Sequence, residues 1–250
     1  MRPGERPPRV SVMEDFDSLG ESIAGEAGQL GVAIDEDSVR RIAVFLRLVE
    51  KWGQRMNLTG RAKTSLLVQR HLPDALAVLR CRALPTGAAR VLDIGAGAGL
   101  TGIPLALLRS HWSVCLVEPL TRRCSFLRTA RQTLSLPLEV IEGKVENAGP
   151  LRGDVVLSRA TWAPELWLER ASGLVSGGGV AVVFAARSAA LPATGALWQR
   201  EEVLEYRLGD GTPRVIGCYR ADPPSGGRGG AGEVPVSRET SGQQARRCST

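Results

Sequence analysis

The sequence is short of several residue types and patterns, and each shortage removes a class of function. It holds only two histidines, His71 and His111, and neither adjoins a serine or cysteine in a nucleophile motif, so no hydrolytic dyad is offered. Its five cysteines make an odd count with no C-x-x-C spacing. No disulfide framework and no metal site are therefore expected, and the reducing cytoplasm is the expected compartment. Nothing approaches the roughly 18 uninterrupted apolar residues of a membrane span. The first thirty residues also lack a basic start followed by an apolar stretch, so neither a span nor a signal peptide is expected. Lysine is nearly absent, with 3 against 29 arginines.

What remains is ordinary in bulk and uneven in detail. At 250 residues, 43% hydrophobic and 23% charged, the chain suits one soluble domain with tails to spare. The net charge of +6 is not spread evenly. Residues 1–37 carry nine acids and three bases, whereas residues 38–90 carry eleven bases against only Glu50 and Asp74. That concentration suits a polyanion, although a solvated basic helix in an arginine-rich chain would look the same.

The chain divides by composition into an acidic, partly disordered leader (1–37), a folded domain (38–220) and a disordered tail (221–250). Met1–Val10 is expected to be disordered, as is the tail containing "PPSGGRGGAGEVPVS". Within the domain, residues 38–89 form a basic helical extension. Asp37 or Ser38 can cap a helix from Val39, in which Val39, Ile42, Leu46, Val49, Trp52 and Met56 form one stripe. A turn at "NLTG" leads to a second helical stretch from Thr64 to about Cys81. From Arg90 the pattern becomes α/β. The strands "RVLDIG", "SVCLVE", "LEVIEG", "DVVLSRA" and "VAVVFAAR" come with helices at Thr101–Arg109 and Thr121–Leu134, which indicates a parallel sheet. "EVLEYRL", Gly209-Asp210-Gly211 and "RVIGCYR" then read as a closing antiparallel hairpin.

"VLDIGAGAGLTG" places glycines where the first strand hands over to a helix, so that backbone can approach a ligand beside a helix N-terminus. Gly97–Gly102 fits the dinucleotide pattern G-x-G-x-x-G, while Asp93 with Gly95, Gly97 and Gly99 fits the D-x-G-x-G-x-G of S-adenosylmethionine sites. Asp93 favours the second ligand, because a carboxylate repels a pyrophosphate and attracts a sulfonium. Glu118, ending the second strand, can accept both ribose hydroxyls of either ligand. The glycines can also be read as a tight turn only, and Asp93 as a helix cap. Arg159, ending the fourth strand, is read as facing the cleft, with an ion pair to Glu146 or Asp93 as the structural alternative. Trp162 suits a base-stacking platform or ordinary packing equally.

Taken in order, "KWGQRMNLTG", "RHLPDAL", "LDIGAGAGLTGIPLAL", "LVEPLTRRCSFLR", "GKVEN" and "LSRA" resemble the bacterial 16S ribosomal RNA (guanine-N7) methyltransferases, once called glucose-inhibited division protein B. The likeness runs from about Val39 to Arg220. It implies a Rossmann-like class I S-adenosylmethionine-dependent methyltransferase, with a mostly parallel seven-stranded sheet ending in an antiparallel hairpin. It implies S-adenosylmethionine as cofactor and ribosomal RNA or the small ribosomal subunit as partner, with no membrane partner and a monomeric state. Gly95, Leu100, Val145 and Glu146 would then line the cofactor pocket beside Asp93, Gly97, Gly99 and Glu118. Arg159 would sit by the cofactor near the target base, and Asn57, His71 and Asp74 would shape the substrate entrance. The chain departs from the family's usual residues at Glu118 (commonly Asp), Lys144 (commonly Arg), Ala98 and Thr101 (often Pro), and Ala186-Arg187 (usually Lys-Gly). A methyltransferase acting on a small molecule is the alternative reading. An oxidoreductase using a dinucleotide and a non-catalytic RNA-binding protein stand further off.

Overall fold

The computed structural model describes residues 9–56, 58, 60, 62–186, 191–192 and 197–222. The site candidate Asn57, the departure at Arg187 and the proposed tail beyond Asp222 lie outside the described residues.

Seven strands form one sheet: β1 (Ala89–Ile94), β2 (Trp112–Glu118), β3 (Glu139–Glu142), β4 (Gly153–Ser158), β5 (Val175–Ala186), β6 (Trp198–Arg207) and β7 (Pro213–Ala221). Their order is β3-β2-β1-β4-β5-β7-β6. β1 to β5 pair in parallel, and β7 inserts antiparallel between β5 and β6. This is the mostly parallel seven-stranded sheet with an antiparallel close that was expected. The order in which successive strands are laid down reverses between the parallel neighbours β1 and β4, so a cleft opens at their carboxyl ends. The last two strands form the expected hairpin, turning at Gly209–Gly211, where Gly211 takes a φ of +81°. No helix among the described residues is long and apolar enough to cross a membrane.

Alternation along each strand sends side chains to two separate cores. Val91, Leu116, Leu157, Val182 and Cys218 face one core, and Leu92, Val117, Val156, Val183 and Tyr219 face the other. The first is roofed by α1 (Arg9–Gln29), α2 (Glu36–Gly53), α3 (Thr64–Arg70), α4 (Leu72–Leu79), α5 (Gly102–Leu108) and α6 (Thr121–Thr133). The second is covered by α7 (Pro164–Ser172), through Trp167, Leu168 and Ala171.

Three local expectations are corrected. Where a polar leader was expected, α1 buries Leu19, Ile23 and Ala27, spaced by four along one stripe, against α2 and α3. The cap of α2 is Asp35, whose carboxylate accepts the Ser38 amide at 2.7 Å, so the helix begins at Glu36 and not at Val39. The long helix expected from Thr64 is two helices broken at His71. Pro73 has no amide proton to give the Gln69 carbonyl, His71 leaves helical geometry at a φ of −122°, and α4 restarts at Leu72 with the proline in its first turn. Glu50 of α2 accepts the Thr64 amide at 3.2 Å and its hydroxyl, which anchors the start of α3. The hairpin turn docks on the same helices, through the Gly209 amide on the Gln69 carbonyl at 2.8 Å and an Arg70–Asp210 pair at 2.9 Å.

Candidate active site

Beyond Ile94 the chain turns through residues 95–101 into α5. Gly95, Gly97 and Gly99 all adopt positive φ, which side chains other than glycine's rarely take. Their surroundings differ. A Cβ on Gly99 would lie 2.7 Å from Ile103 and 2.8 Å from Leu127, and one on Gly95 would lie 2.6 Å from Thr161 Oγ1. A Cβ on Gly97 would meet nothing nearer than the Gly95 carbonyl at 3.9 Å. Gly99 therefore serves packing, whereas Gly97 leaves open space beside the loop. The amides of Gly95 and Ala96 both donate to the Val117 carbonyl, at 2.8 and 3.1 Å, and fasten the loop to β2.

Two buried carboxylates frame this loop. Asp93 is 2% exposed, and its Oδ2 accepts the Gly102 amide at 2.9 Å, capping the start of α5. Burial pushes its pKa up to about 6, against the opposing pull of the Gly102 amide and the Arg159 charge. Asp93 thus caps the start of α5 and also lines the cleft. Glu118 is 1% exposed and accepts the amides of Gly97 at 2.8 Å and Leu120 at 3.0 Å, with Arg123 3.7 Å away. A carboxylate offers about four lone-pair sites, so Glu118 can hold the loop and still receive hydroxyl donors.

The cleft at the sheet's mouth measures about 860 Å³. Asp93, Gly95, Gly97, Leu100, Glu118, Val145, Glu146, Arg159 and His71 all line it. Gly99 does not, because the spot a side chain would take is filled by Ile103 and Leu127. Trp162 also lines the cleft, stacked parallel on Trp167 at 5.8 Å between centroids.

Arg159 lines the cleft as read, but the alternative ion pairs to Glu146 or Asp93 are not the ones it makes. Its Nη1 donates to Asp74 Oδ2 at 2.7 Å and lies 3.1 Å from His71 Nδ1, while Glu146 pairs with Arg170 instead. The break between α3 and α4 explains this, because it puts His71 at the joint and Asp74 in the first turn of α4, where both reach the end of β4. The other Asp74 oxygen accepts the Tyr206 hydroxyl at 2.6 Å. Tyr206 comes from β6, and sequence reading missed it, since a tyrosine inside a strand gives no signal of its partner. An arginine can only donate, so His71 Nδ1 accepts and its ring proton sits on Nε2. Burial, followed by the neighbouring Arg159, pushes the His71 pKa down to about 4. The ring is neutral at physiological pH and its Nδ1 is occupied, so it is not placed as a general base.

The cleft thus offers two carboxylates around a glycine loop on one side and a fixed guanidinium on the other. Among the described residues it contains no nucleophile paired with a base. Such a site can position reactants and stabilise charge without moving a proton.

Residues 38–193 match the family described as GidB, rRNA small subunit methyltransferase G. Similar proteins include the ribosomal RNA small subunit methyltransferase G of Anaeromyxobacter dehalogenans, 32% identical over 183 residues, covering 70% of this chain and 84% of that protein. The Nitrosospira multiformis protein of the same name is 38% identical over 140 residues, 55% of this chain and 63% of its own. That of Bordetella avium is 28% identical over 200 residues, 78% and 89% of the two chains.

Proposed function

Because this chain belongs to the GidB family of rRNA small subunit methyltransferases, we propose that it moves a methyl group from S-adenosylmethionine to a guanine N7 of 16S ribosomal RNA. The observation that carries the reading is the pairing of Asp93 and Glu118 across a glycine loop, with Arg159 at the same cleft.

The residues fit this cofactor by their chemistry. Glu118 stands where ribose hydroxyls need an acceptor, Asp93 supplies a negative charge toward a sulfonium, and the space beside Gly97 admits a ligand that a side chain would exclude. The cofactor supplies an electrophilic methyl group. Guanine N7 has a free lone pair and no proton, so the chain's task is to bring two reactants into line and exclude water. Arg159, held by Asp74, presents a cation suited to guanine O6 while N7 stays free. Neutral His71 keeps the arginine in place without competing for a proton.

The basic extension supports a polyanionic substrate. Lys51, Arg55 and Lys63 are exposed on the stretches flanking Leu58, and Leu58 lines the cleft. We place the protein in the cytoplasm as a monomer engaging the small-subunit RNA. The test is methyl transfer by the purified protein onto small-subunit RNA, with nuclease digestion and mass analysis of the nucleosides. The expected product is 7-methylguanosine, with RNA affinity falling steeply as salt rises. Affinity nearly independent of salt, with label passing to a metabolite, would support the small-molecule alternative.

A further inference from the structure

Away from the cleft, Cys81, Glu202 and Cys218 bring their two Sγ atoms and one carboxylate oxygen within 4.8 Å of one another. They come from three elements. Cys81 follows α4, Glu202 lies on β6 at a register shift, and Cys218 lies on β7 directly across from Glu202. Cys218 is fully buried and Cys81 5% exposed, while the Glu202 side chain is 15% exposed. Sequence spacing gave no hint of this set, because no two of its members lie in one motif.

We propose that Cys81, Cys218 and Glu202 form a site for a thiolate-seeking divalent cation of the zinc class, with a fourth position left to water. Tetrahedral zinc with thiolate bonds near 2.3 Å separates its ligand atoms by about 3.8 Å, so the cluster needs only small side-chain adjustments to close on the ion. Two sulfurs and one oxygen select a borderline-soft metal over magnesium or calcium.

Three neighbouring features fit a metal better than a casual meeting of side chains. Glu202 Oε2 accepts the Ala83 amide at 3.0 Å, which orients the carboxylate from behind as ligands in metal sites are commonly oriented. Arg82 lies 3.8 Å from Glu202 Oε1, and Arg220 Nη2 donates to the Ala83 carbonyl at 2.9 Å. Two thiolates, one carboxylate and a dication carry one net negative charge, which these guanidinium groups offset. A cavity of about 460 Å³ lined by Arg82, Ala83, Glu201 and Glu202 brings solvent to the Glu202 side of the cluster. A disulfide between the two cysteines would need none of these features.

The site is separate from the cleft. Asp93 pairs with Leu157, Leu157 with Val182 and Val182 with Cys218, so three strand spacings, about 14 Å, lie between Asp93 and Cys218. A bound ion would pin the end of α4 to the β6–β7 hairpin. Those are the two elements whose Asp74 and Tyr206 hold Arg159.

The test uses the full chain, reduced and stripped with a chelator, then titrated with Co²⁺ alone and with Zn²⁺ alone. One equivalent of Co²⁺ should give a near-ultraviolet thiolate-to-metal band and intense visible bands of tetrahedral geometry, which Zn²⁺ should displace while raising Tm. Cys81→Ser and Cys218→Ser should each abolish the thiolate band. Glu202→Gln, at a partly exposed position, should keep the fold and weaken binding roughly 10–100-fold. Circular dichroism and S-adenosylmethionine affinity check that each variant is folded. The proposal is overturned if the wild-type protein gives no thiolate band, or if the band survives Cys218→Ser. Ready closure of a Cys81–Cys218 disulfide by a mild oxidant, in protein that takes up no metal, would also overturn it.

Discussion

Replacing Asp74 with Asn tests the reading of Arg159 most sharply. The carboxylate is 9% exposed and takes both the Arg159 guanidinium at 2.7 Å and the Tyr206 hydroxyl at 2.6 Å. Asparagine keeps the shape and both contacts, with its carbonyl toward Arg159 and its amide toward Tyr206, but removes the charge. Breaking a fully buried ion pair costs about 3–5 kcal/mol, whereas a charge-assisted hydrogen bond contributes about 1.5–3 kcal/mol. The Arg159 side chain is 22% exposed, so the lower range applies and about 2 kcal/mol is the working figure. At 1.36 kcal/mol per tenfold, that is about a 30-fold fall in kcat/KM for RNA as the guanidinium loses its fixed position. Cofactor affinity should stay within about twofold, since Asp74 does not line the cleft. Tritiated methyl incorporation into small-subunit RNA gives the first number and calorimetric titration with S-adenosylmethionine the second. Tyr206→Phe, which removes one neutral hydroxyl donor, should lower activity by about fivefold. Wild-type methylation by a folded Asp74→Asn protein would refute the positioning role.

Four further outcomes follow from the structure. The Asp93 pKa lies above its ordinary 3.8, so in the cofactor-free protein the group's contribution to stability is complete below that value and is lost as pH rises past about 6. A cationic ligand needs the carboxylate ionised, so cofactor affinity should instead fall as pH drops through about 6. Asp93→Asn should flatten both slopes, read by Tm and calorimetry across pH. Gly102→Ala would put its methyl against Leu116 and 2.8 Å from Asp93 Oδ2, so it should destabilise the cofactor-free fold by roughly 1–3 kcal/mol in denaturant melts. Gly97→Ala meets open space, so beyond the roughly 1–2 kcal/mol for its positive φ its effect should appear in cofactor affinity. Ile23→Ala on α1 should lower stability by about 2–5 kcal/mol, and an effect within 0.5 kcal/mol would mean that α1 is not part of the core, as urea unfolding would show.

What could be read from the chain was what is written locally. The glycine loop, Asp93 ahead of it, Glu118 at the end of β2 and the closing hairpin each show in a few consecutive residues, and the mostly parallel sheet follows from strands alternating with helices. The missed features lack such a signature. Among its described side chains α1 buries Leu19, Ile23 and Ala27 amid acids, serines and glycines, so its composition resembles a leader more than a core helix. α7 spans nine residues, too few to stand out by periodicity, and Trp167 declares its role only by packing under the sheet. The joint at His71 was visible as Pro73, yet the consequence, Asp74 reaching Arg159 across 85 positions, depends on how α4 lands on the sheet. The Cys81–Glu202–Cys218 group is wholly tertiary, and counting cysteine spacings argued against it.

The role of the whole cleft can be tested in cells. Nucleosides of small-subunit ribosomal RNA should be mapped by mass from a strain lacking the gene, and from that strain carrying either the intact gene or an Asp93→Ala, Glu118→Ala version. One guanosine should lose its N7 methyl group on deletion, regain it with the intact gene and stay unmodified with the altered one. An unchanged map on deletion, or full restoration by the altered gene, would contradict the assignment of that cleft to methyl transfer on ribosomal RNA.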